Sequence, residues 1–168
     1  FDCAPALTQI TLPSDPRLSL PFAFPQNVYV VGKQRPTLIG TGHAAARDAL
    51  VAALREMGIE PRAVARVILP SLLPEAVGNA AIFEDATIVG VGDTPAANVS
   101  DYVATICAPF RDLARSLCDG PERHPDWRAD RIDAFMDAWT EDLPARIEWL
   151  PLADGARVAT EIGALDLV

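Results

Sequence analysis

Histidine is nearly missing from this chain. There are two in 168 residues, His43 and His124, and they form no His-x-x-x-His or His-x-His pair, so a first-row metal would lack its usual nitrogen ligands. Cysteine is scarce too. Cys3, Cys107 and Cys118 are odd in number and far apart, which argues against a disulfide framework and excludes the closely spaced pairs of a zinc ribbon. Cys107 and Cys118 lie eleven apart in one helical pattern and read as buried thiols, which fits a reducing, cytoplasmic setting. Basic residues are few, 14 Lys and Arg against 23 Asp and Glu, for a net charge of −9. That balance argues against nucleic-acid or anionic-membrane partners. Every apolar run is broken by Pro, Gly or charge short of the ~20 residues a membrane span needs. No basic segment leads an apolar one at the start, although Phe1 in place of Met points to a natural N-terminus further upstream. Gly-x-Ser-x-Gly is absent. Gly40-Thr-Gly42 and Gly90-Val-Gly92 lack the six-residue glycine pattern of a dinucleotide fold.

What is present is a core. Half of the residues are apolar, and 168 are enough for one domain with a sizeable interior. Residues 4–12 alternate as a first strand, and Pro13 to Pro25 is a proline-rich extended connection. Asn27–Val31 is a β-branched strand. Gly32–Arg35 is a hairpin loop leading to an antiparallel partner at Pro36–Gly40. A helix follows Thr41-Gly42, with Ala46, Leu50, Ala53 or Leu54, and Met57 inward and Gly58 as its cap. Ala65–Leu69 and Thr87–Val91 are further strands, with a turn at Gly92–Pro95.

The pattern changes near residue 95. A helix capped by Ser100 carries the stripe Val103, Ile106, Phe110, Leu113 and Leu117, with Pro109 expected to kink or break it. After the polar turn Asp119–His124, a second helix starts near Pro125 and presents Trp127, Ile132, Phe135, Met136 and Trp139. The two tryptophans could gate a pocket, or pack the helices onto the sheet. Ile147–Leu152 and Ala156–Thr160 read as a hairpin about Asp154-Gly155. Ala164–Val168 opens another strand.

Chemistry is expected in the loop after a buried strand's carboxyl end. Here that loop follows Val67–Leu69 and reads Pro70-Ser-Leu-Leu-Pro-Glu-Ala-Val-Gly-Asn79. Ser71 and Glu75 are its only groups able to move a proton or bind a metal. Ser71 is a nucleophile only with a base in reach, for which Glu75 and, through space, His43 are the candidates. The bland readings are a loop-capping hydroxyl for Ser71, a carboxylate at a helix N-terminus for Glu75 and a capping imidazole for His43. His124 reads as solvated surface.

These motifs resemble the metallo-β-lactamase superfamily, especially its hydroxyacylglutathione-hydrolase-like branch. Leu38-Ile-Gly-Thr-Gly42 is similar to the family's Leu-Ile-Asp-Thr-Gly. The 70–79 loop falls where the family has Thr-His-x-His-x-Asp-His-x-Gly-Asn, with Gly78-Asn79 in register. Trp149–Gly155 and Leu165–Val168 are similar to strands approaching the family's second metal motif, which would follow Val168. The resemblance implies zinc or iron, yet the family's ligand positions fall on Gly40, Ser71, Leu73, Glu75 and Ala76. Four of these five offer no usual ligand, so a degenerate member without a metal is expected.

The resulting expectation is an α/β (α+β) fold: the N-terminal half of an αββα sandwich in one domain over 1–168, incomplete at its C-terminus. Residues 95–145 form a helical insertion. The expected role is a pseudoenzyme that binds a small molecule or a protein partner in a vestigial pocket. Its inner sheet face would be covered by a downstream half or a partner. The rival is an ester or thioester hydrolase working through Ser71, Glu75 and His43. A third possibility is metal ligands beyond Val168.

Overall fold

The computed structural model describes residues 7–14, 26–91, 99–118, 128–144, 147–153 and 155–166. His124, Trp127, Cys3 and the turns at 92–95 and 119–124 lie outside the described residues, as does the side chain of Cys107.

A six-stranded sheet forms the frame, with its strands in chain order. They are β1 (Leu7–Leu12), β2 (Gln26–Val31), β3 (Thr37–Ile39), β4 (Arg66–Leu69), β5 (Thr87–Val91) and β6 (Leu150–Leu152). The first three are antiparallel neighbours, with Ile10 opposite Val28 and Val30 opposite Leu38. The rest are parallel, with Leu38 beside Val67 and Val67 beside Ile88. Parallel neighbours need crossovers. Helix α1 (Arg47–Glu56) supplies the one between β3 and β4, and the short α2 (Pro74–Val77) lies between β4 and β5. A helical pair, α3 (Val99–Cys118) and α4 (Ala129–Thr140), lies between β5 and β6. The segment read as an insertion is therefore also the connection that carries the chain to the sheet's last strand.

Alternation in the strands divides the apolar side chains between two faces. Val28, Val30, Leu38, Val67 and Leu69 point to one side, where Leu50 and Leu54 of α1 close a core joined by Phe83, Ile132 and Met136. On the other side Ile39, Ile68, Val89 and Leu152 meet Val158 and Leu165. These last two belong to a separate hairpin, β7 (Arg157–Thr160) with β8 (Gly163–Asp166). On the β1–β2 edge the same face is polar, with Gln9, Thr11 and Asn27 hydrogen-bonded to one another.

Three expectations are corrected. Residues 147–160 do not form a hairpin about Asp154-Gly155, because β6 joins β5 in parallel while β7 turns back on β8. Pro109 does not break α3, which runs unbroken over 20 residues and already includes Ser100. Pro109 is exposed, as is Thr105, the residue whose carbonyl loses its N–H partner, so the loss falls on the exposed side of the helix. Of the expected stripe Val103 is buried, but Leu113 is 57% exposed and does not belong to it. Val99 and Cys118 are buried as well, and the side chains of Ile106, Phe110 and Leu117 lie outside those described.

The β7–β8 hairpin is clipped to the frame at its turn. Glu161 Oε2 accepts backbone N–H groups from Lys33, Gln34 and Arg35 at 2.9, 2.8 and 2.9 Å. Three successive amides aimed at one oxygen make an anion nest. The Arg35 N–H, with those of Gln34 and Lys33, holds the Glu161 carboxyl below its ordinary range, against a smaller opposing effect of desolvation. Gly32 precedes the nest with φ +80, and a Cβ there would lie 2.6 Å from the bound oxygen.

Candidate functional site

The site is built where the ends of β3 and β4 meet. Gly40 N–H donates to the Ile68 carbonyl at 2.8 Å, carrying the sheet one residue past β3. Gly40 and Gly42 both have positive φ, +71 and +72, a region open to glycine, so Gly40-Thr-Gly42 folds over the start of the 70–79 loop. Thr41 is fully buried. Its N–H and its hydroxyl both donate to the Ala76 carbonyl, at 2.9 and 2.8 Å, and the hydroxyl accepts from Asn79 N–H at 3.2 Å.

Asn79 completes the joint. Its side-chain amide donates to the carbonyls of Thr41 (3.0 Å) and His43 (2.8 Å). Its Oδ1 is buried with no hydrogen-bond partner, a cost offset by the bonds at the other end of the amide. Gly78 is required by space alone. A Cβ there would come within 2.8 Å of the Gly42 oxygen and the His43 carbonyl carbon. The closing Gly-Asn pair is therefore a structural weld between two segments.

His43 lies inside this weld, 2% exposed. Its N–H donates to Gln26 Oε1 at 2.6 Å. Its ring Nδ1 accepts from Ala45 N–H at 3.1 Å, and Nε2 lies 2.9 Å from the Trp139 carbonyl oxygen. Ala45 can only donate and the carbonyl can only accept, so the pairing assigns the proton to Nε2 of a neutral ring. Both nitrogens are used.

Ser71 and Glu75 are also engaged. Ser71 Oγ accepts from Leu73 N–H at 3.3 Å, the two-residue hydroxyl turn that serine favours in loops. Glu75 stands in the first turn of α2, and its Oε2 accepts the Trp139 indole N–H at 3.1 Å. Neither Glu75 nor His43 hydrogen-bonds to Ser71 among the described residues. The structure thus places the three candidates along one wall, joins His43 and Glu75 to a common neighbour and leaves Ser71 apart from both. Sequence reasoning missed Thr41, Gln26 and Asn79 as structural members. The signal for Asn79 was its fixed place after Gly78, whereas Gln26 gives none.

The positions expected to carry metal ligands do not fit one. Gly40 and Ala76 have no donor atom, Leu73 is hydrocarbon, and the Ser71 hydroxyl and Glu75 carboxylate already have partners. Among the described residues no three His, Cys, Asp or Glu side chains gather as a metal cluster. A cleft of about 730 Å³ lies elsewhere, between Ala80–Ile88 and Ile147–Leu150, floored by Phe83, Ile88, Ile147 and Trp149. No helix among the described residues is long and apolar enough to cross a membrane.

No family model and no curated protein matches the chain. Among solved structures it is similar to a metallo-β-lactamase family protein from Thermus thermophilus. The match has a TM-score of 0.56 and 21% identity over 97% of this chain and 51% of that one. A putative metallo-β-lactamase from Thermotoga maritima also matches, with a TM-score of 0.47 and 14% identity over 91% of this chain and 62% of that one. The fold assignment rests on the first, about half of whose length the chain spans. The fold is metallo-β-lactamase-like, in agreement with the sequence resemblance.

Proposed function

We propose that this metallo-β-lactamase-like half-fold is a metal-free, non-catalytic domain. In this reading it binds a small molecule or a protein partner at the face formed by the 70–75 loop. One observation carries the reading: His43, Ser71 and Glu75, the groups of the vestigial site that could do chemistry, each hold a hydrogen bond within the fold, and neither of the other two bonds to Ser71. A general base needs a free lone pair within reach of its substrate, and His43 has none free. A nucleophilic serine needs a base, and neither candidate touches Ser71. The loop still offers a surface, because Ser71, Leu73 and Glu75 are partly exposed and Pro70 is exposed. The rival hydrolase would have to draw its catalytic groups from outside this wall.

Elemental mass spectrometry tests the proposal on purified full-length protein expressed with zinc, iron and manganese supplied. Less than about a tenth of an equivalent is expected, since one carboxylate cannot hold a dinuclear centre. About one or two tightly held equivalents would overturn it and direct the work to ester and thioester hydrolysis.

A further inference from the structure

Two ionisable side chains remain at the vestigial site, and a single residue from the far helical pair holds both. Trp139 lies in the last turn of α4. Its carbonyl oxygen faces His43 Nε2 at 2.9 Å, and its indole N–H donates to Glu75 Oε2 at 3.1 Å. His43 belongs to the segment after β3 and Glu75 to the loop after β4, so the two bonds tie together three parts of the chain. The tryptophan is itself positioned. Its ring stacks on Phe135 with centroids 6.0 Å apart. Ile132, Met136 and Ala138 of the same helix are buried. Salt bridges Arg115–Asp133 (2.7 Å) and Arg111–Asp137 (2.8 Å) fasten α4 to α3.

We infer that Trp139 is a positioning residue that holds the imidazole and the carboxylate of the site in one fixed arrangement. The two bonds match a metal centre only in part. The indole N–H, like a cation, meets the carboxylate's electron pairs, whereas the carbonyl accepts a hydrogen bond from the imidazole and not an electron pair. A metal accepts electron pairs from a carboxylate and an imidazole. Here the indole N–H satisfies the carboxylate and the carbonyl fixes the imidazole tautomer, so each group is satisfied with no cation present. The inference rests on the metal-free reading above and adds to it the residue that holds the site's two ionisable side chains in place.

Amide hydrogen exchange across residues 70–79 tests this in the full-length protein, with and without a chelator. Chelator is expected to leave the exchange unchanged. Trp139→Phe keeps a ring against Phe135 but removes the N–H, and is expected to speed exchange at 75–77 roughly ten-fold. Glu75→Gln can still accept the bond and should stay within about two-fold of the parent. Glu75→Ala should match Trp139→Phe, and combining the two should add nothing further, because both remove one bond. A tryptophan that served only as packing would instead give the same effect whatever stands at 75, so additive effects would overturn the inference. If Trp139→Phe does not fold, the contrast of Glu75→Ala with Glu75→Gln decides alone, and equal exchange in those two overturns it. Faster exchange in chelator would sink the metal-free reading itself. Unchanged exchange in both chelator and Trp139→Phe would sink only the role given to Trp139.

Discussion

Residue by residue, the site is a set of close approaches rather than a set of reactive groups. Gly78 shows this most sharply, since its backbone conformation (φ −53, ψ −34) suits any residue and only the crowding by 42–44 demands glycine. Gly78→Ala is therefore expected to cost about 3 kcal/mol, read as a lowered urea midpoint with an unchanged slope. A loss of less than about 0.5 kcal/mol would mean that the two segments are not welded there. The sequence announces Gly78 and Asn79 by their place at the end of the loop. It does not announce what they touch, because the partners Thr41 and His43 are more than thirty residues away. Ser71 could be read in either of two ways from sequence, since a loop hydroxyl that turns onto Leu73 N–H looks the same on paper as a nucleophile.

Local patterns decided how well each element could be read. Strands β2 to β5 and helix α1 were legible because alternation or a 3.6 period coincides with a buried face in each. The Asp154-Gly155 turn misled because a turn signal is local, while the choice of partner for β6 depends on an open edge at β5. Pro151 within β6 is consistent with that position, proline being tolerated on an edge strand. The docking of β7–β8 could not be read at all. Its key contact joins Glu161 to backbone amides more than 120 residues earlier, and amides carry no sequence signature. That contact yields a pH prediction. The folded Glu161 carboxyl titrates below its ordinary range, so its contribution is fully present above the unfolded-state value and is lost as pH falls through the folded-state one. Acidification is expected to release the hairpin, seen as faster amide exchange in 157–166. Glu161→Gln, which cannot carry the charge, should show weaker protection there at neutral pH and little further change in acid. An identical acid response in that variant would place the titrating group elsewhere.

At the scale of the whole molecule, the charge of −9 sets what can approach. A DNA duplex is expected to show no shifted band with about 10 µM protein in 0.1 M salt, where sequence-independent binding depends on a basic surface. A retained complex would reveal a basic face that the net charge conceals. The fold class was readable at this scale from the strand and helix order together with the loop frame, and the solved Thermus structure agrees with it. The use made of the helical pair was not. Its two tryptophans suggested either a gate or packing; Trp139 does pack against the core, and it also reaches across 96 positions to His43. Such a contact also has a bearing on time. The bonds of His43 and Glu75 to Trp139 can form only after α4 has docked, and closing so long a stretch of chain is entropically slow. Refolding should therefore organise the strands and α1 first, leaving the 70–79 loop among the last parts of the molecule to come to rest.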